Sequence, residues 1–300
     1  MTKDMTTRCG YVALLGRPNV GKSTLLNALV GEHLAIVTHK AQTTRHRITG
    51  IVNRDAGQAV FVDTPGLHRR RDHALNRRLN RIASDTRLGV DVAVMLVDAS
   101  RMTDEDRMVL DLMANQEGPR ILAFNKIDQL EDRAVLLERT AELTAEVDFD
   151  AVVYLSAIRG EGVEDLLGEV FGLLPEAEPM FDPDLFTDRP ERFLAAEMIR
   201  EQLMLQLHQE IPYGLTVQIE KFQRSGGGRI EIDALILVAS DRHKGMVIGR
   251  GGEVLKRVGT RARKQIAELL DERVHLELHV KTRAGWMDDE GALDELGYSS

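Results

Sequence analysis

The sequence predicts an α/β domain, built on a mostly parallel sheet with helices on both faces, followed by a smaller α+β domain. Up to residue 174, short apolar runs alternate with amphipathic stretches, which is the pattern of a parallel sheet covered by helices. Residues 175–190 then hold four of the eight prolines, and a different pattern follows them. Two domains also suit a length of 300 residues.

The elements can be placed by their apolar spacing. The predicted strands of the first domain are 11–15, 48–52, 59–62, 92–97, 121–124 and 152–155. Its predicted helices are 23–30, 74–88, 104–114, 133–146 and 163–174. The second domain is predicted as helix 192–209, strands 215–222 and 229–239, helices 244–247 and 253–270, and strand 274–280. We expect a first domain at 1–175, a linker at 176–190, a second domain at 191–286 and an acidic tail at 287–300.

The charge is unevenly distributed along the chain. The formal net charge is −9, which taken alone argues against a nucleic-acid partner. However, 15 acidic and 3 basic side chains lie in 131–185, whereas 8 basic and 1 acidic lie in 242–264. The basic segment is therefore a candidate for binding a phosphate backbone.

Other features of the sequence restrict the class of protein. The single cysteine, Cys9, excludes an internal disulfide and a multi-cysteine zinc site. The longest aliphatic runs, such as 92–97, are far shorter than the ~18 residues of a membrane span. Residues 1–10 lack the apolar region of a signal peptide. We therefore expect a cytoplasmic protein.

Residues 16–23 match the phosphate-binding pattern G-x-x-x-x-G-K-[ST] between a predicted strand and a predicted helix. Glycines let backbone N–H groups turn toward an anion, and the helix N-terminus adds the positive end of its dipole. Lys22 is expected to reach the β- and γ-phosphates and Ser23 to hold Mg²⁺. The predicted nucleotide-binding residues here are Gly16, Arg17, Pro18, Asn19, Val20, Gly21, Lys22, Ser23 and Thr24.

A second motif follows the strand at 59–62. It consists of Asp63, Thr64, Pro65 and Gly66. A carboxylate at a strand end beside a phosphate loop can hold Mg²⁺, and the Gly66 N–H can meet the γ-phosphate. In the polar stretch 40–45, which precedes this motif, we expect Thr44 to complete the Mg²⁺ shell and report the γ-phosphate, with Thr43 as the alternative.

A third and a fourth motif predict the base. Asn125, Lys126 and Asp128 follow one strand, and Ser156 and Ala157 follow the next. Guanine presents N1–H and N2–H₂ side by side, so the carboxylate of Asp128 can accept both, whereas adenine would present a lone pair. Backbone N–H groups at 156–157 are expected to face the guanine O6. Four motifs in order at strand carboxyl ends predict a guanine-nucleotide site.

The residue after Gly66 is unusual. Leu67 stands where many small G proteins have a glutamine that orients the attacking water, and leucine cannot do this. We expect Leu67 to line the nucleotide site and intrinsic hydrolysis to be slow, aided by K⁺ held by the side-chain carbonyl of Asn19. The predicted catalytic residues are Lys22, Thr44, Gly66 and Asn19.

Four stretches, 16–24, 40–45, 63–67 and 125–128, together resemble the Era family of GTPases, a P-loop NTPase group in which an apolar residue commonly replaces that glutamine. The second domain carries a G-x-x-G loop, 249–252, ahead of a basic helix. Its helix–strand–strand–helix–helix–strand order resembles the type II KH domain, which clamps about four nucleotides. The predicted RNA-binding residues are Lys244, Ile248, Gly249, Arg250, Gly251, Gly252, Lys256 and Arg257.

The resemblance covers about residues 8–298. It implies a monomeric switch that binds the 3′ end of 16S rRNA and assists 30S subunit assembly, with peripheral association at the inner face of the cell membrane. One competing hypothesis is a GTP-gated RNA-binding assembly factor in which hydrolysis is incidental. Another is a P-loop kinase, which leaves Asp128 and the second domain unexplained.

Overall fold

The structure is a computed structural model that describes residues 7–38, 40, 43–63, 65, 74–75, 78–79, 89–207, 214–226 and 228–298. The chain divides into two compact units. The first unit comprises Met1–Ala35, Thr44–Arg70 and Leu79–Asp188. The second unit comprises Ile36–Thr43, Arg71–Arg78 and Arg189–Ser300. Two short segments from the first half of the chain therefore belong to the second unit.

The first unit contains a six-stranded sheet in the order β2-β3-β1-β4-β5-β6. Its elements are β1 (Arg8–Leu15), α1 (Lys22–Val30), β2 (Ile48–Arg54), β3 (Gly57–Asp63), β4 (Val92–Asp98), α2 (Asp104–Ala114), β5 (Arg120–Asn125), α3 (Val135–Glu146), β6 (Ala151–Tyr154) and α4 (Val163–Leu173). All neighbouring strands are parallel except β2, which pairs with β3 antiparallel. The predicted mostly parallel α/β fold is confirmed.

The sequence explains why these elements form. Strands β3 and β4 are buried along their whole length, as expected for apolar strands covered on both faces. Helix α2 begins with a capping box in which the side chains of Thr103 and Asp106 each bind the other residue's backbone N–H. Because β1, β3, β4, β5 and β6 are parallel, the residues that follow them meet at one edge of the sheet.

The second unit contains a three-stranded sheet in the order β7-β8-β9, with β7 antiparallel and β9 parallel to β8. Its elements are α5 (Glu191–Gln206), β7 (Leu215–Ser225), β8 (Arg229–Val238), α6 (Asp241–Ile248), α7 (Glu253–Leu270), β9 (Arg273–Thr282) and α8 (Glu290–Glu295). Helix α7 buries Val258, Ala262 and Ile266, four residues apart, and leaves its basic residues outside. The predicted order up to β9 is confirmed.

The C-terminal segment differs from the predicted acidic tail, because it contains α8. Asp289 caps this helix by accepting the N–H of Ala292. Beyond it, Tyr298 is buried, its ring stacks on Trp286, and its hydroxyl hydrogen-bonds Thr216. Trp286 is itself fully buried. Of the predicted helix 74–88, most residues lie outside those described; 74–75 and 78–79 are helical.

Residues 176–187, within the predicted linker, are hydrogen-bonded to the sheet of the first unit. The amide of Gln58 accepts the N–H groups of Met180 and Phe181 and donates to the Phe181 carbonyl. Along the outer side of β2, the Ile51 N–H donates to the Phe186 carbonyl. The prolines therefore do not leave this stretch unattached. In the described part of the chain, no helix has the length and apolar character needed to cross a membrane.

Candidate nucleotide-binding site and nucleic-acid groove

The loop between β1 and α1 requires its glycines. Gly21 has φ 103°, and a Cβ there would lie 2.3 Å from Nδ2 of Asn125. A Cβ on Gly16 would lie 2.7 Å from the Leu96 carbonyl oxygen. Both positions therefore exclude larger residues, and helix α1 starts directly behind the loop at Lys22.

Lys22 lies inside this loop. Its Nζ donates to the carbonyls of Gly16 and Arg17 at 2.8 and 3.0 Å. Burial lowers the pKa of Lys22 to about 8, although the nearby Asp63 carboxylate opposes the shift. A phosphate group at the loop would favour the charged form of this lysine.

Hydrogen bonds to neighbouring residues hold the phosphate loop in place. The Nε of Arg17 donates to Asp106 at 2.9 Å, so this guanidinium is held by α2. Asn19 is exposed with φ 64°, and its carbonyl accepts a 2.7 Å bond from Nζ of Lys126, which also pairs with Asp98. Of the other predicted loop residues, Val20 is buried, and Pro18 and Thr24 are half-buried. Lys126, predicted to bind the nucleotide, thus also supports the phosphate loop through this hydrogen bond.

The structure brings together the three predicted Mg²⁺ ligands. Ser23 Oγ lies 2.7 Å from a carboxylate oxygen of Asp63 and 2.9 Å from Thr44 Oγ1. Thr44 Oγ1 is 3.3 Å from the same carboxylate oxygen. The Thr43 hydroxyl instead hydrogen-bonds Thr38 and the Lys40 carbonyl. The geometry thus favours Thr44 over Thr43, and the three oxygens are of the type that Mg²⁺ prefers.

Part of the second motif falls outside the described residues. Pro65 is described and buried. The predictions for Thr64, Gly66 and Leu67 concern residues that the structure does not describe.

The predicted base-binding residues form one hydrogen-bonded cluster. Asn125 donates to the Val20 carbonyl at 2.8 Å and accepts the Ala157 N–H at 2.9 Å. Asp128 accepts a 2.6 Å bond from the Ser156 hydroxyl. Asn125 thus joins the phosphate loop to the 156–157 loop, a structural role that the sequence did not reveal.

In the second unit, the predicted G-x-x-G loop joins α6 to α7. Gly249, Gly251 and Gly252 all have positive φ, at 74°, 60° and 80°. A Cβ on Gly249 would lie 2.5 Å from a methyl carbon of Val254, whereas Gly251 and Gly252 have open space beside them. Arg250 is exposed at the tip. This loop leaves backbone accessible next to a cationic side chain.

Beside the loop, α7 and β9 enclose a groove of about 430 Å³. Its lining residues are Gly252, Leu255, Lys256, Gly259, Thr260, Arg263, Leu276 and Leu278. The groove therefore has an apolar floor and a basic rim, which suits stacked bases and a phosphate backbone.

The other predicted RNA-binding residues lie on α6 and α7. Lys256 lies on its rim, and Arg257 is exposed on α7 with a 3.1 Å bond to the Gln206 side chain. Lys244 lies within α6, and Ile248 ends that helix half-buried.

The sequence missed the floor of the groove. Alternation along 274–280 predicted that Leu276 and Leu278 share one face of a strand, but that pattern cannot tell what covers them.

Two family models match the chain. The model described as "50S ribosome-binding GTPase" matches residues 11–126, and a KH domain model matches residues 210–287. Curated proteins named GTPase Era are also similar. The protein from Pseudomonas fluorescens is 48% identical over 99% of both chains, and that from Azotobacter vinelandii is 47% identical over 99% of both.

Solved structures agree with these matches. A point variant of Aquifex aeolicus Era bound to GDP·AlF₄⁻ is 32% identical with a TM-score of 0.93, over 98% of this chain and 100% of that one. Era in complex with MgGDPNP and nucleotides 1506–1542 of 16S ribosomal RNA is 33% identical, with the same TM-score and coverage. The guanine-nucleotide motifs, the KH fold and relatives at 47–48% identity over nearly the whole length lead to one conclusion: this chain belongs to the Era family of GTPases, which bind and hydrolyse GTP.

Proposed function

We propose that this GTPase binds the 3′ end of 16S rRNA through its KH domain and assists assembly of the 30S subunit. The observation that carries the proposal is the similarity to the Era complex with nucleotides 1506–1542 of 16S rRNA. The groove beside Gly252 supports it, because a basic rim and an apolar floor suit single-stranded RNA.

In the nucleotide site, each residue has a proposed role. Lys22 neutralises the β- and γ-phosphates, and the N–H groups of 16–24 hold them. Ser23, Thr44 and Asp63 would hold Mg²⁺, which supplies charge neutralisation on the phosphate oxygens. Gly66 and Thr44 contact the γ-phosphate, while Leu67 closes the site without orienting water.

At the base, Asp128 pairs with guanine N1–H and N2–H₂. The Asn125 and Ser156 bonds support this role, because they fix the edge against which the base lies. The N–H groups at 156–157 face O6. The proposed selectivity for guanine over adenine follows from the acceptor character of the Asp128 carboxylate.

A monovalent cation is part of the proposal. The Asn19 side chain lies on the exposed part of the phosphate loop, where its carbonyl oxygen is suited to K⁺ near the β- and γ-phosphates. Hydrolysis rates should therefore be higher in K⁺ than in Na⁺ at equal ionic strength. Equal rates in both salts, unchanged by Asn19→Ala, would discard this role.

Crosslinking the protein to RNA in cells and sequencing the bound RNA tests the rRNA assignment. The expected reads concentrate at the 3′ end of 16S rRNA. Lys256→Glu should deplete them, whereas Lys264→Glu, on the same helix beside Glu268, should leave them in place. Reads spread over unrelated RNAs, or centred on tRNA, would contradict the assignment.

The runner-up is an assembly factor gated by GTP binding in which hydrolysis is incidental. The observation that favours it is Leu67, because no glutamine stands there to orient water. A Thr44 variant that binds GTP without hydrolysing it separates the two functions. If 30S subunits still mature in cells carrying this variant, hydrolysis is incidental; if maturation stops, the switch is required.

The remaining proposals concern the state of the protein in the cell. We propose a cytoplasmic monomer with peripheral contact to the inner face of the cell membrane, and the domain division at 1–175, 176–190, 191–286 and 287–300. Fractionation of cell lysates at low and high salt tests the membrane contact, since a peripheral protein leaves the membrane fraction as salt is raised.

A further inference from the structure

The segment Ile36–Thr43, which immediately precedes Thr44, is held by α5 of the second unit. Nη2 of Arg200 donates to the Thr43 carbonyl at 2.6 Å. The Val37 N–H donates to Glu201 at 2.8 Å, and Lys40 donates to the carbonyls of Met204 and Leu207. These contacts bind Val37, Lys40 and Thr43 to α5 and to Leu207, the residue that follows it.

Arg200 is one of the two most deeply buried of these anchors, together with Glu201. It is 1% exposed, and its Nε and Nη2 bind the two carboxylate oxygens of Glu197 at 2.8 and 2.7 Å. This bidentate pair with Glu197 holds the plane of the guanidinium in place. The hydrogen bond from Nη2 to the Thr43 carbonyl therefore has a fixed direction. A buried Arg–Glu pair is expensive to desolvate, so it is weak evidence for a role in stability alone.

The Thr43 carbonyl belongs to the peptide unit that also carries the Thr44 N–H. That peptide is planar, so fixing its oxygen also fixes the direction in which Thr44 leaves it. Thr44 in turn lies 2.9 Å from Ser23 and 3.3 Å from Asp63. We propose that Arg200 is a positioning residue for the GTP-bound state, because it sets the place of Thr44 through the Thr43 carbonyl. This inference rests on the γ-phosphate role proposed above for Thr44.

The same helix is connected to the RNA groove. The second carboxylate oxygen of Glu201 accepts a 3.0 Å bond from Gln265 on α7, and Gln265 accepts a 2.8 Å bond from Gln202. Through Glu201, helix α5 therefore binds both Val37 and the groove-forming helix α7.

The test compares two variants of Arg200 in the full-length protein. Glu197→Gln combined with Arg200→Gln removes both charges, so neither is left buried and unpaired. Bound GTP should then be hydrolysed about tenfold more slowly in single-turnover reactions, the effect expected for one charge-assisted hydrogen bond. Affinity for a non-hydrolysable GTP analogue should fall, whereas affinity for GDP should stay within about twofold. Arg200→Lys, which keeps a charged donor, should recover part of the rate.

Arg192→Gln is the matched control. Arg192 lies on the same helix and also donates to a carbonyl, that of Ile219 at 2.6 Å, within the KH fold. It should hydrolyse GTP at the normal rate. Equal loss of GTP and GDP affinity in the Arg200 variants, together with a lower Tm, would mean a purely structural role and would overturn the proposal.

Thr44→Ala tests the γ-phosphate role of Thr44 separately from the positioning role of Arg200. If Thr44→Ala loses hydrolysis and the double variant does not, only the role of Arg200 is wrong. If Thr44→Ala itself behaves normally, the γ-phosphate role of Thr44 is wrong. Should the double variant bind no GDP, Arg200→Gln alone is measured instead. Slower GTP hydrolysis with GDP affinity within about twofold supports the proposal, and equal loss of GTP and GDP affinity overturns it.

Discussion

Two glycine loops, each at the start of a helix, serve the two units in different ways. In the phosphate loop before α1, Gly16 and Gly21 are in close contact with Leu96 and Asn125. In the loop before α7, no described residue beyond the chain neighbours has an atom within 4 Å of where a Cβ on Gly251 or Gly252 would stand, and Arg250 is exposed. The glycines of the phosphate loop are packed against other residues, whereas the second loop leaves one side open. A closely packed loop suits a mononucleotide, and an open side suits a polymer whose backbone must pass through.

The comparison also shows that glycine has two separable uses. At Gly21 it supplies both a positive φ and the absence of a clash, while at Gly252 it supplies the positive φ alone. A substitution should therefore cost more in the first loop than in the second. Two glycine substitutions measure this difference, and a lysine substitution then tests the open side of the second loop, in order of expected effect.

Gly21→Ala should have the largest effect. The new methyl group would lie 2.3 Å from Asn125 Nδ2 and would demand φ 103° of an alanine. We expect affinity for GTP and GDP to fall about 100-fold, because strain and clash each cost on the order of tenfold. Titration with a fluorescent guanine nucleotide measures it.

Gly31→Ala is the control for that loop. It has φ 84° at the end of α1 but open space around it, so only stability should fall. If Gly21→Ala binds nucleotide as tightly as the unchanged protein does, the inference that close packing at Gly21 is required for binding is wrong.

Gly252→Ala should have a smaller effect, and only on RNA. The added methyl meets nothing within 4 Å, so strain at φ 80° is the main cost. We expect about a fivefold loss of affinity for a single-stranded 16S 3′-end oligonucleotide, with GDP binding unchanged. Gly245→Ala, inside α6 and equally unobstructed, should leave RNA affinity unchanged. If Gly252→Ala loses more RNA affinity than Gly21→Ala loses nucleotide affinity, the second loop is the less tolerant of the two and the comparison is wrong.

Lys256→Ala should have the smallest effect, and it tests whether a phosphate of the RNA contacts Lys256. Lys256 lies on the groove rim, so we expect about a threefold loss of RNA affinity and a salt-dependence slope reduced by about 0.7, the value for one phosphate contact on a single strand. Lys264→Ala serves as the control, since Lys264 pairs with Glu268 elsewhere on α7. If RNA affinity depends on salt concentration with the same slope in both variants, Lys256 does not contact the RNA backbone.

Much of the nucleotide site could be predicted because its residues are local in sequence. The motifs at 16–23, 63–66 and 125–128 each follow an apolar strand, and parallel strands bring such ends together. By contrast, the antiparallel pairing of β2 could not be predicted, because a run of apolar residues carries no direction.

Long-range contacts were also beyond the sequence pattern. The 36–43 segment has the composition of a polar loop, and nothing in it indicates binding to a helix about 160 residues later. Helix α8 was missed because only Leu293 and Ala292 of this short acidic stretch are buried. The basic segment 242–264 was correctly separated from the acidic average, since clustering of charge along the chain does not depend on the fold.

The segment 176–187 has a consequence for truncation of the chain. Strand β2 is an edge strand of the six-stranded sheet, and Phe186 and Pro183 accept hydrogen bonds from its backbone and from the Asn53 side chain, while the Thr187 hydroxyl donates to the Thr49 carbonyl. A shortened protein that ends at residue 175 would expose those β2 groups to any other strand in solution. It should self-associate more readily than one that ends at Asp188, because an uncovered strand edge is a template for aggregation.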